Sequence, residues 1–183
     1  MKKYKTILAD PPWQYNDKTL RFGEKKRAGK SSAESQYPTM TLQEIKSLKI
    51  PTEDNAYLFL WVTNPLIQEG FEVMKAWGFE YKTMITWVKP SIRLGYYFRG
   101  RTEHILFGTK GKPGRLKRMD LGNVIEAPVT KHSAKPYQAY DLIEKACDGA
   151  YLELFARPAS PMFPKRLNWD VWGNEVENDI SLI

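Results

Sequence analysis

Lys5-Thr6-Ile7-Leu8-Ala9-Asp10-Pro11-Pro12-Trp13-Gln14-Tyr15 decides how the rest of the chain is read. A short apolar run ends abruptly at a carboxylate, two prolines and two aromatic rings. The prolines have fixed φ and no N–H, so a strand cannot simply continue through them. The residue before a proline is pushed towards extended geometry, which places Asp10 at a stiff strand exit. In an open α/β sheet, ligands bind at the carboxyl ends of the strands. There, Asp10 and the Pro11 carbonyl can each accept a hydrogen bond from an exocyclic –NH2, with Trp13 or Tyr15 stacked on the ring that carries it. For a lone D-P-P, an acidic turn capping a strand is the better reading. The full D-P-P-W, after an apolar strand and before Tyr15, reverses that.

Composition sets the frame. The 183 residues suffice for one domain with a real core, and 42% hydrophobic content argues against disorder. No apolar run approaches the ~20 residues of a membrane span, and no signal-peptide core follows Met1-Lys2-Lys3. Cys147 stands alone, and His104 and His132 are the only histidines, so neither an intrachain disulfide nor a Cys/His metal cluster is expected. A cytoplasmic setting is the expectation.

The formal charge of +7 suits a polyanionic partner. Lys18, Arg21, Lys25, Lys26, Arg27 and Lys30 crowd one stretch; Lys110, Lys112, Arg115, Lys117 and Arg118 crowd another. Both contain glycine and lack apolar periodicity, so they read as loops. Solvated surface loops are the bland account. Two basic loops on the strand-exit side of a sheet are better explained by a phosphate backbone. Within the first, Gly29-Lys30-Ser31 resembles the end of a phosphate loop, but Glu24 stands where the earlier glycine is needed and no strand leads in, so that reading is rejected.

The pattern predicts strands at 5–9, 56–63, 81–89, 104–109, 150–155 and 169–172. Thr41-Leu42-Gln43-Glu44 has capping-box spacing and opens a short helix over about 42–49. Asn64 caps and Pro65 begins a second helix that ends at Gly78, and Pro136 begins a third that runs to the region of Gly149. Pro90 closes the third strand. Residues 91–102 interleave Arg93, Arg99 and Arg101 with Tyr96, Tyr97 and Phe98, which suits stacking on unpaired bases as well as it suits an ordinary loop with buried rings. Strands alternating with helices mean a largely parallel α/β sheet. No GxGxxG follows any strand, which argues against a dinucleotide site.

Asp10-Pro11-Pro12-Trp13 resembles the catalytic motif of the DPPW-type adenine-N6 methyltransferases, the family of the eukaryotic mRNA adenosine methyltransferase catalytic subunit and of small phage and bacterial proteins. Tyr37-Pro38-Thr39-Met40, Leu58 to Thr63, Ile85 to Lys89, Glu103-His104, His132 to Pro136, Glu153 to Pro158 and Gly173-Asn174-Glu175 follow in the family's order. The resemblance implies a Rossmann-like, S-adenosylmethionine-dependent methyltransferase sheet in permuted order, with the catalytic motif first. On that reading residues 1–183 form a single methyltransferase domain with basic substrate-binding loops at about 14–37 and 110–122.

Carried over residue by residue, Asp10, Pro11, Pro12 and Trp13 hold the target amine, and Asp10 also meets the cofactor's methionine end. Lys135 lies near the cofactor carboxylate, and Arg157, Asn174 and Glu175 bond its ribose and adenine. Ala159-Ser160 stands where the family has a polar pair. Tyr15, Tyr37, Lys25, Lys26, Arg27, Glu103, Arg115, Lys117 and Arg118 are the candidate substrate contacts. The implied reaction is methylation of adenine N6 in DNA, with RNA, cytosine N4 or a catalytically inactive nucleic-acid-binding subunit as alternatives. The resemblance also implies a dimer.

Overall fold

The computed structural model describes residues 2–14, 38–93, 97–130, 134–159, 164 and 166–182. Among the candidate residues, Tyr15, Tyr37, Lys25, Lys26 and Arg27 lie outside the described residues.

Seven strands make one sheet: β1 (Tyr4–Ala9), β2 (Thr52–Val62), β3 (Glu80–Arg93), β4 (Gly100–Lys110), β5 (Val124–Glu126), β6 (Tyr151–Leu154) and β7 (Trp169–Trp172). Their order is β5-β3-β4-β2-β1-β6-β7. β1 pairs parallel with both β2 and β6, and β6 with β7. β4 is antiparallel to β2 and β3, which leaves β3 and its parallel neighbour β5 pointing the same way as the rest. The sheet is thus parallel but for β4.

Sidedness follows from the strand period of two. Along β2, Ala56, Leu58, Leu60 and Val62 face one core, while Tyr57, Phe59 and Trp61 face the other. A strand covered on both faces reads as an unbroken apolar run, which is what Ala56 to Val62 is. Helices α1 (Leu42–Ser47) and α2 (Ile67–Ala76) cover the first face. Helix α3 (Gln138–Ala146) covers the second through Ala139, Ile143 and Ala146. The Thr41–Glu44 capping box is present, and the Trp77 indole donates to Ile45 O at 3.0 Å, tying the end of α2 to α1. Cys147 is buried in the second core, where burial pushes its thiol up to about 12 and leaves it a small apolar group.

Three expectations are corrected. β3 does not stop at Pro90 but runs to Arg93. β5 pairs with β3 only from Thr86 to Val88, and the β4 register shifts between Val88 and Arg93, so the missing N–H of Pro90 falls where the regular ladder is interrupted. Asn64 does not cap α2 with its side chain; a 3-10 turn, Asn64–Leu66, precedes the helix, and the Asn64 amide reaches Thr102 and His104 instead. The second basic loop is also on the other side of the sheet. Val62 lies opposite His104 and Ala56 opposite Lys110, so β4 delivers the loop after it to the amino ends of the parallel strands. Its backbone is held there by Tyr57 OH on Pro113 O at 3.1 Å and Lys117 N on Ala146 O at 2.8 Å.

Candidate active site

β1 carries the chain to Asp10 at the carboxyl edge of the sheet. Beyond it the backbone turns tightly, with Trp13 N donating to Pro11 O at 2.8 Å. Met40 clasps the turn from outside: its N–H donates to Pro12 O at 2.8 Å, and its carbonyl accepts from Gln14 N at 3.3 Å. Trp13 is buried in the core, with its indole N–H on Trp61 O at 3.1 Å. It anchors the motif rather than offering a ring to a planar substrate. One acceptor position of the Pro11 carbonyl is taken by Trp13 N–H, and a carbonyl oxygen has two.

Asp10 is gripped from the far end of the chain. Lys135, three residues before α3 begins, places Nζ 2.8 Å from Asp10 Oδ1 and 2.9 Å from Oδ2. The same ammonium lies 3.4 Å from Glu103 Oε2 on β4, and Glu103 Oε1 is bonded by Lys89 on β3. Two carboxylates and two ammoniums alternate in one row. Beneath them Lys135 sits 5.4 Å from the Trp61 ring and Lys89 4.7 Å from the Trp87 ring. Burial alone would lower the Lys135 pKa, but Asp10 and Glu103 outweigh it and hold it above the ordinary lysine value. Glu103 is the converse: burial pushes it up, Lys135 and Lys89 pull harder, and it ends below the ordinary glutamate value.

Beside Glu103 on β4, His104 joins Asn64, just beyond β2, to Thr86 on β3, with Nε2 2.9 Å from Asn64 Oδ1 and Nδ1 3.1 Å from Thr86 Oγ1. Asn64 Nδ2 donates to Thr102 O, which turns its oxygen to the ring and assigns the proton to His104 Nε2. Desolvation lowers the His104 pKa against the opposing pull of Glu103, so at neutral pH it is an uncharged clasp.

Asp10 and Lys135 open onto a cavity of about 590 Å3 over the exits of β1, β6 and β7. That is within the range of small-molecule sites. Arg157 and Glu175 line it, as do Trp61, Tyr140, Glu153, Phe155 and Arg166; Asn174 is exposed just beyond. At the end of β6, Phe155 has φ of 62°, a costly value for a non-glycine residue, and its ring packs on Trp172 at 5.4 Å. Gly173 is required because a Cβ there would come within 2.4 Å of Ala156 O, where the exits of β6 and β7 meet. The final turn folds back, with Gly173 N on Asn178 Oδ1 at 2.7 Å and Val171 N on Asp179 Oδ2 at 2.9 Å, and this presents Glu175, Val176 and Glu177 to the cavity.

Of the predicted residues, the fold gathers Asp10, Lys135, Arg157 and Glu175 around one opening, with Glu103 behind them on Lys135. It separates Arg115, Lys117 and Arg118 from them. Six steps of β2, about 20 Å, divide the two ends of the sheet. At that far end Arg118 is paired with Asp120 and Lys117 with Asp148.

Several contributors carried no sequence signal of their own. Tyr140 OH donates to Glu153 Oε1 at 2.7 Å inside the cavity, and Glu153 is pushed up to about 7, mainly by burial. Arg166 lies 2.5 Å from Asp141 and 2.6 Å from Glu144, with its guanidinium 4.0 Å from the Tyr137 ring. Lys89 and Trp61 stood inside quoted motifs, but nothing local told their roles. Among the described residues there is no group of His, Cys, Asp or Glu able to hold a metal. No helix among them is long and apolar enough to cross a membrane.

Fold and site together define an α/β protein of the Rossmann-like methyltransferase class. The chain belongs to the MT-A70 family, whose model matches residues 4–175. It is 35% identical over 196 aligned positions to the type II methyltransferase M.MunI of a Mycoplasma species, covering 99% of this chain and 82% of that protein. It is 32% identical to the human N(6)-adenosine-methyltransferase catalytic subunit METTL3, covering 96% of this chain but 28% of METTL3. The Arabidopsis thaliana N(6)-adenosine-methyltransferase MT-A70-like protein is 31% identical, with 97% of this chain and 24% of that protein covered.

Proposed function

We propose that the protein transfers a methyl group from S-adenosylmethionine to adenine N6 in DNA. The observation that carries this reading is the Asp10 carboxylate, fixed by Lys135 at the mouth of the strand-exit cavity. The cavity's donor set suits the cofactor. Glu175 and Glu153 can accept from hydroxyls or an amine, Lys135 and Arg157 can meet a carboxylate, and Trp61 and Phe155 offer apolar surface. When bound, the cofactor supplies an electrophilic methyl on a sulfonium.

The rest of the chemistry belongs to the chain. An adenine N6 lone pair is delocalised into its ring, so attack requires the nitrogen to be held towards sp3 geometry. Asp10 and the second acceptor position of Pro11 O can take the two N6 protons and favour that state, with acceptors already aimed where positive charge develops. Holding the nitrogen in line with the methyl supplies much of the remaining rate. Asp10 is held by Lys135 in a fixed orientation, so its role is positional and electrostatic, and the proton leaves to solvent afterwards. A target base in a duplex must first be flipped out, at a cost of a few kcal/mol.

DNA is preferred because the match to the type II methyltransferase runs through most of that protein, whereas the METTL3 match covers a minor part. RNA is the second reading, supported by that same METTL3 similarity. Mass spectrometry of nucleosides from DNA and RNA, after expression in a methylation-free host, tests both. N6-methyladenine in DNA is expected; methylated adenosine only in RNA would favour the second reading, and N4-methylcytosine or no product would reject both.

A further inference from the structure

Beyond Glu103 the β3–β4 hairpin leaves the body of the sheet on the same side as Asp10. Its stem is fixed: Arg101 Nε donates to Lys89 O at 2.9 Å, and Val88 lies opposite Thr102. Past the stem, burial stops. Tyr97 is 95% exposed, Phe98 89% and Ile92 64%, and Arg99 and Arg101 are exposed beside them. Rings this exposed serve no core, and grouped apolar surface of this kind marks an interaction site. From Pro90 to Thr102 the sequence contains no acidic residue. An apolar protein partner would meet an uncompensated arginine pair here, whereas a phosphate backbone complements it.

The distance also fits. Glu103 is one ion pair from Lys135, which holds Asp10, and Phe98 lies five residues before Glu103 in sequence, two residues ahead of the start of β4. Fully extended, at about 3.5 Å per residue, five residues place Phe98 no more than roughly 17 Å from Glu103. That spans a few nucleotides of a strand whose target base sits at Asp10.

Resting on the adenine methyltransferase reading, we infer that the hairpin tip is a stacking platform for unpaired nucleotides flanking the target adenine. Tyr97 and Phe98 take base faces, and Arg99 and Arg101 take the adjoining phosphates. Stacking of this kind tolerates any base, so the hairpin contributes affinity and strand path rather than sequence choice.

The test measures binding separately from methyl transfer. Fluorescence anisotropy compares the parent with Tyr97→Ala/Phe98→Ala, using a single-stranded 12-nucleotide probe with one central adenine. A second probe has abasic sites on both sides of that adenine. The parent should lose about tenfold or more in affinity when the flanking bases are removed, and the variant should bind both probes equally weakly. Equal affinity of parent and variant for the intact probe would overturn the inference. So would a parent that is dimeric by sedimentation and becomes monomeric on the double substitution without change in probe affinity, since the rings would then serve self-association. Absence of methylated product with unaltered stacking behaviour would count against the methyltransferase reading and leave the platform standing.

Discussion

Lys135 Nζ lies 2.8 Å from Asp10 Oδ1, joining residues 125 positions apart in sequence across the cavity mouth. The pairing explains how a carboxylate at a strand exit is held to one orientation. Two further partners fix the lysine: Glu103 on its other flank and the Trp61 ring below. Because the row alternates Asp10, Lys135, Glu103, Lys89, no charge in it is left without an opposite neighbour. Removing one partner of such a partly buried set costs more than the net worth of the pair, because the remaining charges stay desolvated.

Asp10→Asn keeps the shape of the side chain and removes the charge that faces the amine. Methyl transfer should fall by about a hundredfold or more, the scale seen when one preorganised electrostatic partner is lost. The fold should persist, since Glu103 still pairs with Lys135. Radiolabelled methyl transfer beside a thermal melt checks both. Near-parental turnover in a folded variant would remove Asp10 from the mechanism.

Lys135→Met should have two effects with separate readouts. Cofactor binding by calorimetry should weaken, because a cation is lost from the cavity wall. Turnover at saturating cofactor should also fall, because Asp10 and Glu103 are then like charges with no cation between them. A binding defect alone would mean that the Asp10 contact has no part in orienting the substrate.

Some of this site could be read from the chain and some could not, for physical reasons. A strand stopped by two prolines is a local event, so Asp10 was legible from residues 5–15. The alternation hidden in the apolar run of β2 was legible as a strand covered on both faces. The three residues of β5 are too few to show a period. The side of the sheet reached by residues 110–118 depends on the direction of β4, which adjacent sequence does not encode. Pro90 inside β3 is tolerated only because of what its neighbours do not pair with. The Tyr140–Glu153 contact joins α3 to β6, and the clamp of Asp141 and Glu144 on Arg166 joins it to the segment that enters β7, so they arise only once the helix lies across the sheet.

Glu153 makes stability depend on pH in the direction opposite to a salt-bridged acid. Its folded pKa is raised by burial to about 7, so between the ordinary glutamate value and about 7 the folded chain binds more protons than the unfolded one. Stability in the absence of cofactor should therefore decline as pH rises through that window, by at most about 1.4 kcal/mol per pH unit from this group, and level off above it. Glu153→Gln retains an acceptor for Tyr140 OH and removes the titration. Its melting temperature relative to the parent should climb from pH 5 to pH 7 and then hold steady. Parallel curves would show that the side chain is hydrated enough to ionise normally.

The last expectation separates the two basic stretches. Residues 14 and 40, which flank the stretch containing Lys25, Lys26 and Arg27 in sequence, are bonded to each other at the strand-exit end next to Asp10. Arg115, Lys117 and Arg118 belong to a loop at the opposite end, where two of them already pair with Asp148 and Asp120. If phosphates are gripped beside the reacting base, affinity for duplex DNA falls log-linearly with salt, with a slope of about −0.9 per phosphate contact. Neutralising Lys25, Lys26 and Arg27 should flatten that slope and weaken all sequences alike, because phosphate contacts position rather than specify. Neutralising Arg115, Lys117 and Arg118 removes the same formal charge, so it controls for long-range attraction and should leave the slope near the parent's. Salt titrations of the two triple variants decide the matter. Equal flattening in both would mean that binding senses only net charge, and flattening confined to the second would put the nucleic acid on the wrong end of the sheet for Asp10 to reach it.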